Sequence, residues 1–167
     1  MIDPSKIPSQ AIQSFLYSYA PHRDVLRDFY ELLPESKYDF RLVDTASRKS
    51  DTPRESLAHI IETRLMYLHG VKTNRLTFEP VNVESLRGAS KATLLEAWDK
   101  HEDAMMTMLQ NPYFDADAIV ECPWGQLSAQ HTLFLIRDHE ILHCGWNLAL
   151  MDALDMARYP SLQNYWG

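Results

Sequence analysis

The chain has 167 residues, 46% of them hydrophobic, which suits one soluble globular domain (residues 1–167) and leaves too little for two cores. Its net charge is −7, and no Lys/Arg cluster offsets it, so neither nucleic acid nor an anionic membrane surface is an expected partner. Only five glycines are present, fewer than the turns of a sheet protein usually need, and the shortage favours helices.

Four segments carry helical periodicity. The first runs from about Ser9 to Leu33. Ser9, after Pro8, is placed to cap it, and Ile12, Phe15, Leu16, Val25, Leu26, Phe29 and Leu32–Leu33 form its apolar stripe. Pro21 should kink or locally break it, and Pro34 should end it. Residues 35–51 are polar and read as loop. A second helix is predicted from Thr52–Pro53, where Thr52 and Glu55 have capping-box spacing and Pro53 holds the first helical position. Its apolar face is Leu57, Ile60, Ile61, Leu65 and Leu68. Arg64 interrupts that face and is expected to turn its charged end outward, and Gly70 is the expected stop.

Residues 71–89, with Pro80 and Gly88, form a long predicted connection. The third helix is expected from about Ser90 to Gln110, with Leu94, Leu95, Ala97, Trp98, Met105, Met106 and Leu109 as its stripe. Asn111–Pro112 terminates it. After a connection closed by Pro123-Trp124-Gly125, a fourth helix begins near Gln126 or Ser128 and continues to about Met156. The aromatic tail, with Tyr165 and Trp166, should pack on the body. Four helices of roughly 18 to 29 residues suit an all-α four-helix bundle. The long connections depart from the short turns of an up-down-up-down bundle and allow parallel neighbours.

Other positive groups, Arg48–Lys49 with Arg54 and Lys72 with Arg75, sit among polar or acidic residues and read as solvated surface. Cys122 and Cys144 have no disulfide-framework or zinc-knuckle spacing. With no apolar signal core at the N-terminus, they are expected to be reduced thiols in a cytoplasmic protein. No apolar run is long enough to span a membrane.

The segment with the most chemical content is Asp138-His139-Glu140-Ile141-Leu142-His143. Histidines at i and i+4 share a helix face, so their imidazoles can converge on one ion. Seven histidines in 167 residues make a chance pair of this spacing unremarkable, so spacing alone leaves two unrelated histidines equally open. The same residues spell the metalloprotease signature His-Glu-x-x-His, with Glu140 as a candidate base. Against a protease, the motif lies late, no glutamate or Gly-x-x-His follows it, and the upstream chain lacks the strand pattern of a substrate-binding sheet edge. Glu140 reads instead as solvated or as support for its neighbours. A metal needs a third ligand. Asp152 and Asp155 lie beyond two turns along the same helix, which leaves His22, His59, His69, His101, His131 and acidic residues of other helices. His59 sits well within its helix, as a bundle ligand should. A helical wheel nevertheless puts it opposite the apolar face, beside Glu62, Thr63 and Met66. That side must then face a cavity or another subunit.

Three stretches resemble the DinB / YfiT-like family. They are Ser56-Leu57-Ala58-His59-Ile60-Ile61-Glu62-Thr63, His139-Glu140-Ile141-Leu142-His143-Cys144-Gly145, and the Pro123-Trp124-Gly125 lead-in. The order of elements agrees over nearly the whole chain. Cys144 and Trp146 depart from the family pattern, which more usually has a basic residue and a glutamine on either side of the glycine. The resemblance implies a four-helix bundle of up-down-down-up topology, a homodimer, and a metal held by His59, His139 and His143. It also implies kinship with thiol S-transferases and a thiol-dependent isomerase, in a family many of whose members have no assigned reaction.

Three neutral imidazoles would leave a divalent transition metal an open position, as catalytic sites do. Zinc is the first expectation; nickel, iron and manganese also suit imidazole and water. The expected function is a metal-dependent transferase that activates a low-molecular-weight thiol toward a small-molecule substrate. Arg137, Lys72 and Arg75 are loose candidates for contacts to an anionic thiol. The alternatives are a non-catalytic, stress-associated metal-binding dimer and a metal-dependent hydrolase. Cys144, one residue after a ligand, points about 100° away and reads as a packed thiol. Trp98, Trp124 and Trp146 read as core or cavity wall.

Overall fold

The computed structural model describes residue 7 and residues 9–79 and 86–166. Pro8 and Pro80, named above, lie outside these. Four long helices carry the fold: α1 (Gln10–Leu32), α2 (Pro53–Thr73), α3 (Lys91–Leu109) and α4 (Ala129–Ala153). Strands β1 (Ile119–Cys122) and β2 (Gly125–Ser128) form a hairpin before α4, and a short α5 (Pro160–Trp166) closes the chain. No described helix is long and apolar enough to cross a membrane.

Each long helix starts where its side chains satisfy its own orphan N–H groups. The hydroxyls of Ser9, Thr52, Ser90 and Ser128 accept from the backbone N–H groups of Ile12, Glu55, Thr93 and His131. At α2 the reciprocal bond is also made, Thr52 N–H donating to Glu55 Oε2 at 2.8 Å.

The ends follow the sequence less closely. α1 is unbroken across Pro21. The carbonyl left without a donor belongs to Tyr17, which is exposed, so water can serve it. α2 passes Gly70 and stops at Asn74, whose φ of 57° supplies the left-handed cap. Gly70 is there for space, since a Cβ would lie 3.0 Å from the Cα of Leu76. α4 ends at Ala153, short of the expected Met156.

Cross-helix contacts give the topology. Arg23 and Arg27 of α1 meet Glu102 and Asp99 of α3 in reverse order, so these helices are antiparallel. Tyr30 bonds Ser56 while Tyr19 lies by Arg64, so α1 and α2 are antiparallel too. Ser18 bonds Arg137, and the His22 carbonyl accepts from Cys144, in the same order along α1 and α4, which are parallel. The result is the up-down-down-up bundle.

The hairpin is a departure, because its strands of four residues carry no pattern a sequence reading could detect. Pro123-Trp124 is its turn, with Cys122 paired to Gly125 at φ 131°. Leu76 N–H donates to the Glu121 carbonyl and Ala129 N–H to that of Ala118, so the hairpin joins the end of α2 to the start of α4. Downstream, Tyr159 and Leu162 are buried, and the Trp166 ring lies 5.1 Å from that of His22, so the tail does pack on the body.

The core has two apolar clusters, one around Tyr30, Leu57, Ile61 and Trp98, the other around Phe15, Tyr19, Leu68 and Leu133. Arg64 contacts both. It is 1% exposed, with its guanidinium carbon 3.9 Å from the Trp98 ring centre and 5.9 Å from that of Tyr19. The expected outward turn does not occur, because Glu140 of α4 meets it inside: Arg64 Nε donates to Glu140 Oε1 at 2.9 Å and Nη2 lies 2.8 Å from the same oxygen. Glu140 is therefore fully buried rather than solvated.

Candidate metal centre

His59 projects from α2, and His139 and His143 project one turn apart from α4. Their rings converge. Nε2 of His139 lies 3.1 Å from Nε2 of His59 and 3.3 Å from Nε2 of His143. Two nitrogens bound at about 2.05 Å to one tetrahedral ion are about 3.3 Å apart, so the spacing is that of ligands sharing an ion. The three nitrogens form a group, each ring half-buried, that could hold a metal ion.

The surrounding bonds fix which nitrogens face inward. Nδ1 of His143 is 2.9 Å from Ser56 Oγ, and Tyr30 donates its phenolic O–H to the same Oγ at 3.0 Å. Nδ1 of His59 is 3.4 Å from Thr63 Oγ1. With the proton on each of these Nδ1 atoms, the hydroxyls accept it and Nε2 presents a lone pair to the centre. Burial lowers His139 to about 4, helped by repulsion from His59 and Arg64; burial lowers His143 to about 3, helped by His139 and His59. Both rings are thus neutral near pH 7. Facing lone pairs without a proton between them repel, and a shared cation relieves that repulsion.

A profile of the DinB superfamily matches residues 19–146, a span that holds all three histidines. This chain belongs to the DinB superfamily. Comparison with curated proteins gives no match.

The geometry brings the three histidines into one group that could hold an ion, and it corrects other expectations. Glu140 cannot serve the His-Glu-x-x-His motif as a base. It points into the core, where burial pushes its carboxyl up and Arg64 pulls it back. His22, His69, His101 and His131 do not join the cluster. Cys144 is buried, as expected, and burial raises its thiol to about 12, so it is no nucleophile near neutral pH. Trp98 is core, but Trp124 is exposed on the hairpin turn against Phe78.

Two cavities flank the cluster. One of about 300 Å³ is lined by Arg48, Ser50, Asp51, Ser56, Leu142, His143 and Trp146. The other, of about 260 Å³, is lined by Asp51, Glu55, His59 and Arg87. Asp51 borders both, so they adjoin. Lys72, Arg75 and Arg137 line neither; Arg75 borders the hairpin and Arg137 pairs with Asp138. Arg48, exposed as expected of solvated surface, and Arg87 line these cavities instead; neither the loop before α2 nor the segment between α2 and α3 can be placed beside the histidines from its own pattern. Ser56 and Thr63 were legible in principle, since they stand at i−3 and i+4 from His59 on the same helix.

Proposed function

We propose that this DinB-superfamily chain is a metal-dependent transferase in which a low-molecular-weight thiol is activated at His59, His139 and His143. The observation that carries the reading is the convergence of three Nε2 atoms, 3.1 and 3.3 Å apart along the row, on a half-open face with cavities on both sides. A divalent ion bound there would supply Lewis acidity, lowering the pKa of a thiol at its open position. Zinc is the first candidate, with nickel, iron and manganese chemically compatible.

The chain's own residues supply orientation. Ser56, backed by Tyr30, holds the His143 ring, and Thr63 holds that of His59. Of the nearby carboxylates, Glu140 is sealed in the core and Glu55 is bound to Arg41 and the α2 cap, while Asp51 borders both cavities and is open to act on a thiol or a water. Deprotonating a thiol near neutral pH needs only a modest fall in its pKa. The homodimer that the resemblance implies belongs to the same reading.

Elemental analysis of untagged protein is the first test. One equivalent of metal is expected in the wild type and background in His59→Ala; equal content in both would remove His59 from the site. The second test incubates metal-loaded protein with a chlorinated aromatic or an epoxide and a panel of small thiols. Thioether formation with at least one thiol is expected. Loaded protein that turns over none of them would favour a non-catalytic metal-binding role.

A further inference from the structure

The cavity beside His143 has a composition of its own. Leu142 and Trp146 stand one turn apart on α4 and form an apolar wall on one side of it. Leu142 is 73% exposed, so folding gains little from a leucine there. Trp146 packs partly against the core and is held in place by it. Ser56, which orients His143, lines the same space. Opposite stand Arg48 and Asp51 of the loop before α2, and among the described residues neither side chain makes a hydrogen bond or ion pair. Arg41 and Arg54 of the same region are both tied to carboxylates. One free cation and one free anion at the same rim select no sign of charge, which leaves the choice of ligand to the apolar wall. A volume of about 300 Å³ is at the small end of small-molecule sites.

We infer that this cavity seats the electrophilic co-substrate, and that it takes a small, flat, apolar ring system laid against Trp146 and Leu142 beside His143. The inference rests on the transferase reading for the co-substrate's role, while the binding itself needs no metal. The polar cavity beside His59, walled by Asp51, Glu55 and Arg87, is left for the hydrophilic thiol. Trp146 is then a specificity-determining residue that contacts substrate.

The test uses 4-fluorobenzyl alcohol, an unreactive neutral aryl probe, titrated into full-length protein and followed by ¹⁹F NMR, once with metal bound and once after chelation. Saturable binding is expected in both states. Trp146→Ala should weaken it by about ten-fold and Leu142→Ala by about three-fold. Leu142→Asp, which charges an exposed wall position without touching the core, should weaken it as much as Trp146→Ala. Trp124→Ala, on the hairpin turn, should leave binding unchanged. Equal affinity in wild type and Leu142→Asp, or no saturable binding to the wild type, would overturn the inference. The two readings fail separately: retained metal in His59→Ala removes the transferase site and leaves the aryl titration intact, whereas an unaltered Leu142→Asp titration removes the aryl cavity and leaves metal content intact.

Discussion

His139 and Glu140 are neighbours in the chain, yet they belong to two different kinds of polar centre. Both centres are built between α2 and α4. Glu140 turns inward to Arg64, where a positive and a negative charge meet at 2.8 Å at the seam of two apolar clusters. His139 turns about 100° the other way, to a half-exposed face where the Nε2 atoms of three imidazoles point at one another. The first centre joins opposite charges through Glu140 Oε1 and is closed to solvent, with Arg64 Nη1 and Glu140 Oε2 left without a hydrogen-bond partner among the described residues. The second pairs the outer nitrogens of His143 and His59 with Ser56 and Thr63 and leaves three inner ones facing each other. The core centre is a pair of opposite charges joined within the protein, whereas the three imidazoles surround a shared gap that could hold an ion.

The largest way to break this contrast is to unmatch the closed centre. Glu140→Ala would strand the Arg64 guanidinium in the core and should cost about 3–5 kcal/mol in urea unfolding. Replacing both partners with Arg64→Met and Glu140→Leu should cost clearly less than the two single changes summed. A purely additive double variant would mean that the pair is not coupled.

Next comes the support of the open centre. Ser56→Ala removes the acceptor for His143 Nδ1 and the partner of Tyr30. It should weaken metal binding about 10- to 100-fold in a competition titration with a chelator. A much smaller change in thermal stability should separate it from Glu140→Ala.

A smaller effect concerns pH in the metal-free protein. His139 and His143 titrate at about 4 and about 3 when folded, below their ordinary 6.5, because burial and neighbouring charge oppose protonation. The unfolded chain takes up these protons first as pH falls. Stability should therefore be lost as pH drops from about 6.5 through 4 toward 3, and not regained within that window. His143→Ala should flatten this part of the profile relative to wild type, as read by chemical unfolding at each pH.

The same contrast explains what the sequence could disclose. Helix starts were legible because Ser9, Thr52, Ser90 and Ser128 act on residues three positions away. The His139/His143 pair was legible for the same reason. Arg64 was misread because its partner is 76 residues distant and no helical wheel contains it. A wheel also put His59 opposite the apolar face, on a side that must meet a cavity or another subunit; the structure has it half-buried, lining a cavity with Asp51, Glu55 and Arg87 while its ring meets that of His139 on α4. That His59 belonged with the other two came from resemblance; the pattern of α2 alone left five histidines open. The hairpin and the two cavities depend on contacts between distant segments, and nothing local announces them.

The most direct measurement is anomalous diffraction from crystals grown with zinc. The account predicts one strong peak in contact with Nε2 of His59, His139 and His143 at about 2.0–2.1 Å. A peak on other residues, or three rings still facing one another with no ion at saturating zinc, would contradict it.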